Sequence, residues 1–125
     1  MAGPARAGVF VYALDVERIA AFYAHVLGLA RVHARADLVV LHGADLQLVV
    51  LAMPPMAGAS MTAPDTPRAG ALGFFATVDA LADAAARAAQ RGGRVLDGRW
   101  AGPGFTVARA MDPEGNAFQL REPRA

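Results

Sequence analysis

The chain contains no cysteine. That excludes a disulfide framework, a thiolate metal centre and a cysteine nucleophile, and it leaves no evidence for an oxidising compartment. A surplus of charge of one sign is also lacking. The formal net charge is +1 and the arginines are scattered along the chain, which argues against a nucleic-acid-binding stripe. No apolar run is long enough to span a bilayer; the longest, LQLVVLAMPPM, is interrupted by Pro54 and Pro55. The opening MAGPARAGVF has no long apolar core of a secretory signal. Serine occurs once, as Ser60, so no Ser-His-Asp set is apparent. These absences lead to the expectation of a soluble, cytoplasmic protein with neither membrane nor nucleic acid as partner. At 125 residues the chain is expected to fold as one domain, 1–125, burying roughly two thirds of its unfolded surface.

What is present is a repeat. VFVYAL (9–14) reads as a strand, followed by a helix with Asp15 as N-cap, Gly28 as C-cap, and Val16, Ile19, Ala20, Tyr23 and Leu27 on one face. Three strand candidates follow, 29–34, 37–42 and 45–53, the last two joined by a Gly43-Ala44 hairpin signal. The second half repeats the order: LGFFATV (72–78), a helix capped by Asp79, then strands 94–100, 105–111 and 116–122. Superposing Asp15 on Asp79 also brings Gly28 onto Gly92 and lays FVYALD on FFATVD. The modules are expected at about 7–53 and 70–122, separated by a Pro-, Gly- and Ala-rich linker at 54–69 whose Met56 and Met61, with Met53 beside it, are candidates for an adaptable lid. The second helix is mostly alanine, so it must pack close to its sheet to bury anything. The turn Asp112 to Asn116 is a hairpin device, in which Pro113 presets one dihedral and Gly115 permits a positive one.

Two βαβββ modules, a first helix reading RIAAFYAHVLGL and a final hairpin MDPEGNAFQLREP together resemble the vicinal oxygen chelate superfamily. That superfamily includes glyoxalase I, the bleomycin-resistance proteins and the extradiol dioxygenases. The resemblance covers nearly the whole chain. It implies an α+β fold in which two βαβββ modules form a cupped, partly open eight-stranded barrel, with helices outside and the ligand site inside. Homodimers are also implied, some with the site between chains.

In metal-dependent members, the resemblance implies a divalent ion held by side chains of the first and last strands of each module. The corresponding positions here are Gly8, Gln47, Gly73 (or Leu72 after a register slip) and Gln119. Two have no donor and two are neutral amides, which bring no charge to offset the cation's desolvation. Residues 1–14 and 69–78 hold no His, Glu, Asp or Gln, so no slip restores a ligand. The expectation is a member without metal or other cofactor, which points away from catalysis; no catalytic residue is assigned. A metal enters only if His33 and His42, on neighbouring strands, join in one site. His25, on the first helix, reads as an exposed residue or a cation near the helix end.

Alternation places Phe10 and Tyr12 on the inner face with Gly8, and Phe75 and Thr77 with Gly73, while Val9, Val11 and Phe74 turn to the helices. On the last strand Ala117, Gln119 and Arg121 share the inner face. Trp100 and Phe105 add flat rings; Arg109 shares a face with Phe105 and Val107, and the resemblance implies that its position points into the cup, where a guanidinium would grip a carboxylate, phosphate or sulfonate. The expected ligand-binding set is therefore Phe10, Tyr12, Gln47, Phe75, Trp100, Phe105, Arg109 and Gln119. Three functions stay open: a metal-free binding protein for a small, partly aromatic and anionic molecule; a metal-dependent or metal-independent lyase, isomerase or dioxygenase with a non-standard site; or an accessory domain whose surface serves dimerisation.

Overall fold

A computed structural model describes residues 5–54, 65–68 and 70–124. Most of the expected linker, with Met56, Ser60 and Met61, lies outside the described residues. The first module runs β1 (Val9–Ala13), α1 (Val16–Leu27), β2 (Ala30–Arg35), β3 (Leu38–His42) and β4 (Gln47–Ala52). The second runs β5 (Phe75–Thr77), α2 (Leu81–Gln90), β6 (Arg94–Val95), β7 (Trp100–Gly102), β8 (Phe105–Met111) and β9 (Ala117–Pro123). The fold is α+β, and the two sheets share one order: β1-β4-β3-β2 in the first, β5-β9-β8-β6 in the second with β7 also against β8. In each sheet the strand that precedes the helix pairs in parallel with the last strand of its module and forms an edge.

Local chemistry accounts for most of these elements. The Asp15 carboxylate accepts the Arg18 N–H at 3.0 Å, starting α1, and Gly28 ends it at φ 68°, a left-handed conformation that suits glycine. The second helix departs from expectation. It begins after Ala80, which has no side-chain cap, and the Leu81 N–H is instead taken by Glu122 of β9 at 2.7 Å. A long-range carboxylate thus does the work anticipated for Asp79. The strand expected over 94–100 is broken into β6 and β7, giving nine strands among the described residues where eight were expected. Asp97-Gly98 turns the chain there, and the Arg99 guanidinium gathers the carbonyls of Leu96, Asp97 and Gly98 at 2.6, 3.3 and 2.9 Å. Likewise only Phe75–Thr77 of the expected 72–78 is strand, with Leu72 fully exposed.

One core serves both modules. Val11, Leu41, Leu48 and Val50 of the first sheet, and Ala108, Phe118 and Leu120 of the second, are buried in a single cluster with both helices. Helix α1 is turned slightly from the expected face, burying Phe22 and Val26 and leaving Leu27 half-buried. Its Phe22 and Tyr23 reach across to the second module, meeting the Phe118 ring edge-on at 6.0 and 5.4 Å, while Phe118 stacks on Phe74 at 5.3 Å. The alanine helix α2 buries Leu81, Ala84 and Ala88 and lies against α1. There Arg87 donates to the Val26 carbonyl at the end of α1, and His25 bonds Gln90 at 2.7 Å, so His25 is engaged between the helices. No described helix is long and apolar enough to cross a membrane.

The turn at 112–116 fastens the modules together. Asp112 is fully buried; one carboxylate oxygen accepts the Glu114 and Asn116 N–H groups, and the other accepts the Asn116 amide and the Tyr23 hydroxyl, all within 3.0 Å. Glu114, 2% exposed, spans to the first module, where its two oxygens accept the Leu14 and Asp15 N–H groups at 2.8 Å each. Those donors sit at the N-terminus of α1, where the helix dipole favours a carboxylate. Arg68 binds the far side of the turn through the Glu114 and Gly115 carbonyls.

Replacing Glu114 by Ala leaves two buried N–H groups unpaired, and a loss of about 3 kcal/mol is expected, read from the urea midpoint at constant slope. Burial, then the Asp112 charge and hydrogen bond, raise the Tyr23 pKa well above its ordinary value. The hydroxyl therefore stays protonated in the fold while an unfolded tyrosine ionises near pH ~10. The stability this gives is whole below that pH and is lost above it, at up to about 1.4 kcal/mol per pH unit. Tyr23→Phe is expected to remove that part of the alkaline loss, checked by urea unfolding at a series of pH values above 9.

Candidate functional site

Each sheet has one face against the helices and one bare face. On the first sheet the register lines up Phe10, Val49, Val40 and His33 in one row across the bare face, and Tyr12, Leu51, Leu38 and Arg35 in the next. Phe10 and Tyr12 are 61% and 46% exposed and meet edge-to-face at 5.7 Å. Gln47 and His42 form the row beside them, so both His33 and His42 stand on this face. Arg31, by contrast, is on the helix side, where it pairs with Glu17 of α1.

The bare face of the second sheet carries a concavity. Arg109 pairs with Gln119 across β8 and β9, Val107 pairs with Arg121, and Trp100 of β7 pairs with Val107. Trp100, Val107, Arg109 and Gln119 line a cavity of about 360 Å³ with an apolar floor, an indole wall, an amide and a guanidinium. Three of the eight expected ligand-binding residues thus come together. Trp100 is half exposed and rests over Gly98, where any Cβ would crowd its ring at 3.0 Å. Phe75 and Phe105 stand beside the cavity and hold Arg121 between them, the guanidinium 3.5 and 4.3 Å from their ring centroids. Phe10, Tyr12 and Gln47 belong to the other sheet and do not join this cavity within one chain. The two sheets share no strand pair among the described residues, and no closed barrel forms. A second groove, of about 400 Å³, runs between β5 and the segments Leu27–Leu29 and Gly43–Leu46, with Asp45 its single charged residue.

A family profile described as a glyoxalase-like domain matches residues 8–121. The chain belongs to that glyoxalase-like family, within the vicinal oxygen chelate superfamily. No curated protein sequence matches it. Among solved structures it is similar to an enzyme of the glyoxalase/bleomycin resistance protein/dioxygenase family from Burkholderia phytofirmans PsJN, with TM-score 0.68 and 14% identity over 92% of this chain and 95% of that one. It is also similar to the fosfomycin resistance protein FosX from Mesorhizobium loti, with TM-score 0.67 and 13% identity over 96% and 92%. A bleomycin-binding protein solved with bleomycin gives TM-score 0.61 and 21% identity over 97% and 100%. At these identities the likeness is one of fold.

The positions that the superfamily resemblance assigns to metal donors hold Gly8, Gln47, Gly73 and Gln119. A Cβ on Gly8 would lie 2.6 Å from the Gln47 carbonyl oxygen, so the position has no room for a side chain as the strands stand. Gln47 and Gln119 are on different sheets. No group of three or more His, Asp or Glu side chains is gathered for a metal among the described residues, around His33 and His42 included. Gly8, Gln47, Gly73 and Gln119 supply two amide oxygens and no charged donor. Gly73 differs from Gly8 in having nothing within 4 Å of a built Cβ. Gly8→Ala is expected to cost about 1 to 3 kcal/mol through overpacking and Gly73→Ala almost nothing, compared by urea unfolding of the two variants.

Proposed function

We propose that this glyoxalase-like chain is a metal-free, cytoplasmic binding protein for a small molecule with a flat, partly aromatic body and an anionic group. The observation that carries the reading is the cavity where Trp100, Arg109 and Gln119 meet over Val107. An indole offers a stacking wall, an amide both donates and accepts, and a guanidinium grips an oxyanion with two parallel hydrogen bonds. None of these groups is a nucleophile or a general base at neutral pH, and the chemistry they share is recognition.

The ligand sits between two copies of the chain. Phe10 and Tyr12 on one bare face and Phe75 and Trp100 on the other are about half exposed or more, which leaves large rings on both faces for a partner to cover. Placing the first sheet of one copy over the second sheet of another encloses the cavity and brings Phe10, Tyr12 and Gln47 to it. The bleomycin-binding relative supports a binding role by its fold, and the ligand here is defined by its chemistry alone.

A thermal-shift screen tests this. Flat aromatic anions at a hundredfold excess over Kd are expected to raise Tm by roughly 10 °C, with Arg109→Ala abolishing the shift. Zn, Ni, Mn and Fe(II) salts are expected to give no shift. One tightly held transition metal per chain in purified protein would overturn the reading in favour of a metal-dependent lyase, isomerase or dioxygenase.

A further inference from the structure

Arg121 is set apart from the other arginines by what surrounds it. The rings of Phe75 and Phe105 both pack against its guanidinium, which keeps its N–H groups for polar partners. Its Nε is sealed from solvent and has no hydrogen-bond partner. No carboxylate pairs with it or with Arg109 among the described residues: the ion pairs found there join Arg31 to Glu17 and Arg35 to Asp37. The neighbouring acid, Glu122, is turned to the helix side, where it holds the start of α2. Arg109 and Arg121 occupy diagonal positions of the β8–β9 ladder, since Arg109 faces Gln119 and Arg121 faces Val107. Such positions are roughly 7 Å apart, so two positive charges share one face with no counter-charge.

We propose that Arg121 is the specificity-determining residue of this site, presenting a ring-held guanidinium edge to an oxyanion, with Arg109 on the anion's other side and Trp100 against the ligand's ring. The inference rests on the binding role proposed above and adds what it selects. An oxyanion between the two arginines offsets their like charges and supplies the counter-ion that Arg121 lacks. A neutral ligand of the same shape does neither, so discrimination arises from an unmet charge as well as from fit.

Trp100 is the single tryptophan and lines the cavity, so its fluorescence reports occupancy directly. The experiment titrates the full-length protein with naphthoate, naphthylphosphonate and the uncharged naphthamide. The expected result is at least one acid binding about tenfold or more tighter than the amide, the advantage of a charge-assisted hydrogen bond, and shrinking as salt is added. Arg121→Met and Arg121→Lys are both expected to bring the acid-to-amide affinity ratio down toward one, because methionine removes the charge and lysine keeps it without the planar fork. Whether carboxylate or phosphonate binds tighter identifies which oxyanion the pair takes, and either supports the proposal. Equal affinity for acids and amide overturns it and leaves the binding role standing. Acid preference that survives in both Arg121 variants but is lost in Arg109→Gln overturns it too. Binding of none of the three removes the binding role and this inference with it. Circular dichroism checks the variants' fold; should Arg121 variants not fold, the acid-to-amide ratio and its salt dependence in the unaltered protein decide.

Discussion

Two carboxylates buried without a cationic partner among the described residues hold this fold together. Asp112 and Glu114 survive in the interior because every oxygen accepts hydrogen bonds from N–H or O–H groups, and because Glu114 lies at the positive end of α1. The remaining architecture follows from where those donors are. Glu114 reaches back a hundred residues to the strand-helix junction of the first module, and Asp112 takes the hydroxyl of Tyr23 about two helical turns further on. Together they draw α1 against the second sheet, where Phe22 and Tyr23 pack on Phe118.

That placement decides which surfaces are left for binding. With α1 serving the helix-side faces of both sheets, the bare faces cannot close on each other within the chain, and each keeps its aromatics exposed. The second sheet shapes a cavity, because the break between β6 and β7 swings Trp100 up beside Val107 and Arg109. A continuous strand over 94–100 would pair Trp100 differently and lose the indole wall. The turn at Asp97-Gly98 is thus as much a part of the site as the residues that line it.

Much of this was legible in the sequence because it depends on local rules. The caps at Asp15 and Gly28, the repeated strand-helix order and the facing of Phe10, Tyr12, Phe75 and Gln119 follow from alternation and from the chemistry of short segments. What escaped depends on distant partners. Asp79 has the composition of a cap, yet Glu122, forty-one residues beyond Leu81, fills that role. Asp97-Gly98 is a turn signal inside an otherwise strand-like run, and period alone does not show that it prevails. Alternation places Arg121 on the correct face, but no spacing says that two rings from β5 and β8 close around it. The turn at 112–116 was readable as a turn; that its acids join the modules was not, since their partners are backbone groups with no sequence signature.

The last point makes the two modules unequal despite their matching order. Glu114 binds the N–H groups of Leu14 and Asp15, and those atoms are the same whatever residue stands there, proline excepted. The first module can therefore vary the side chain at position 14 without loosening the joint, whereas the second must keep a carboxylate of one length at 114. Divergence of such a duplicated chain is licensed on one side of the seam and forbidden on the other.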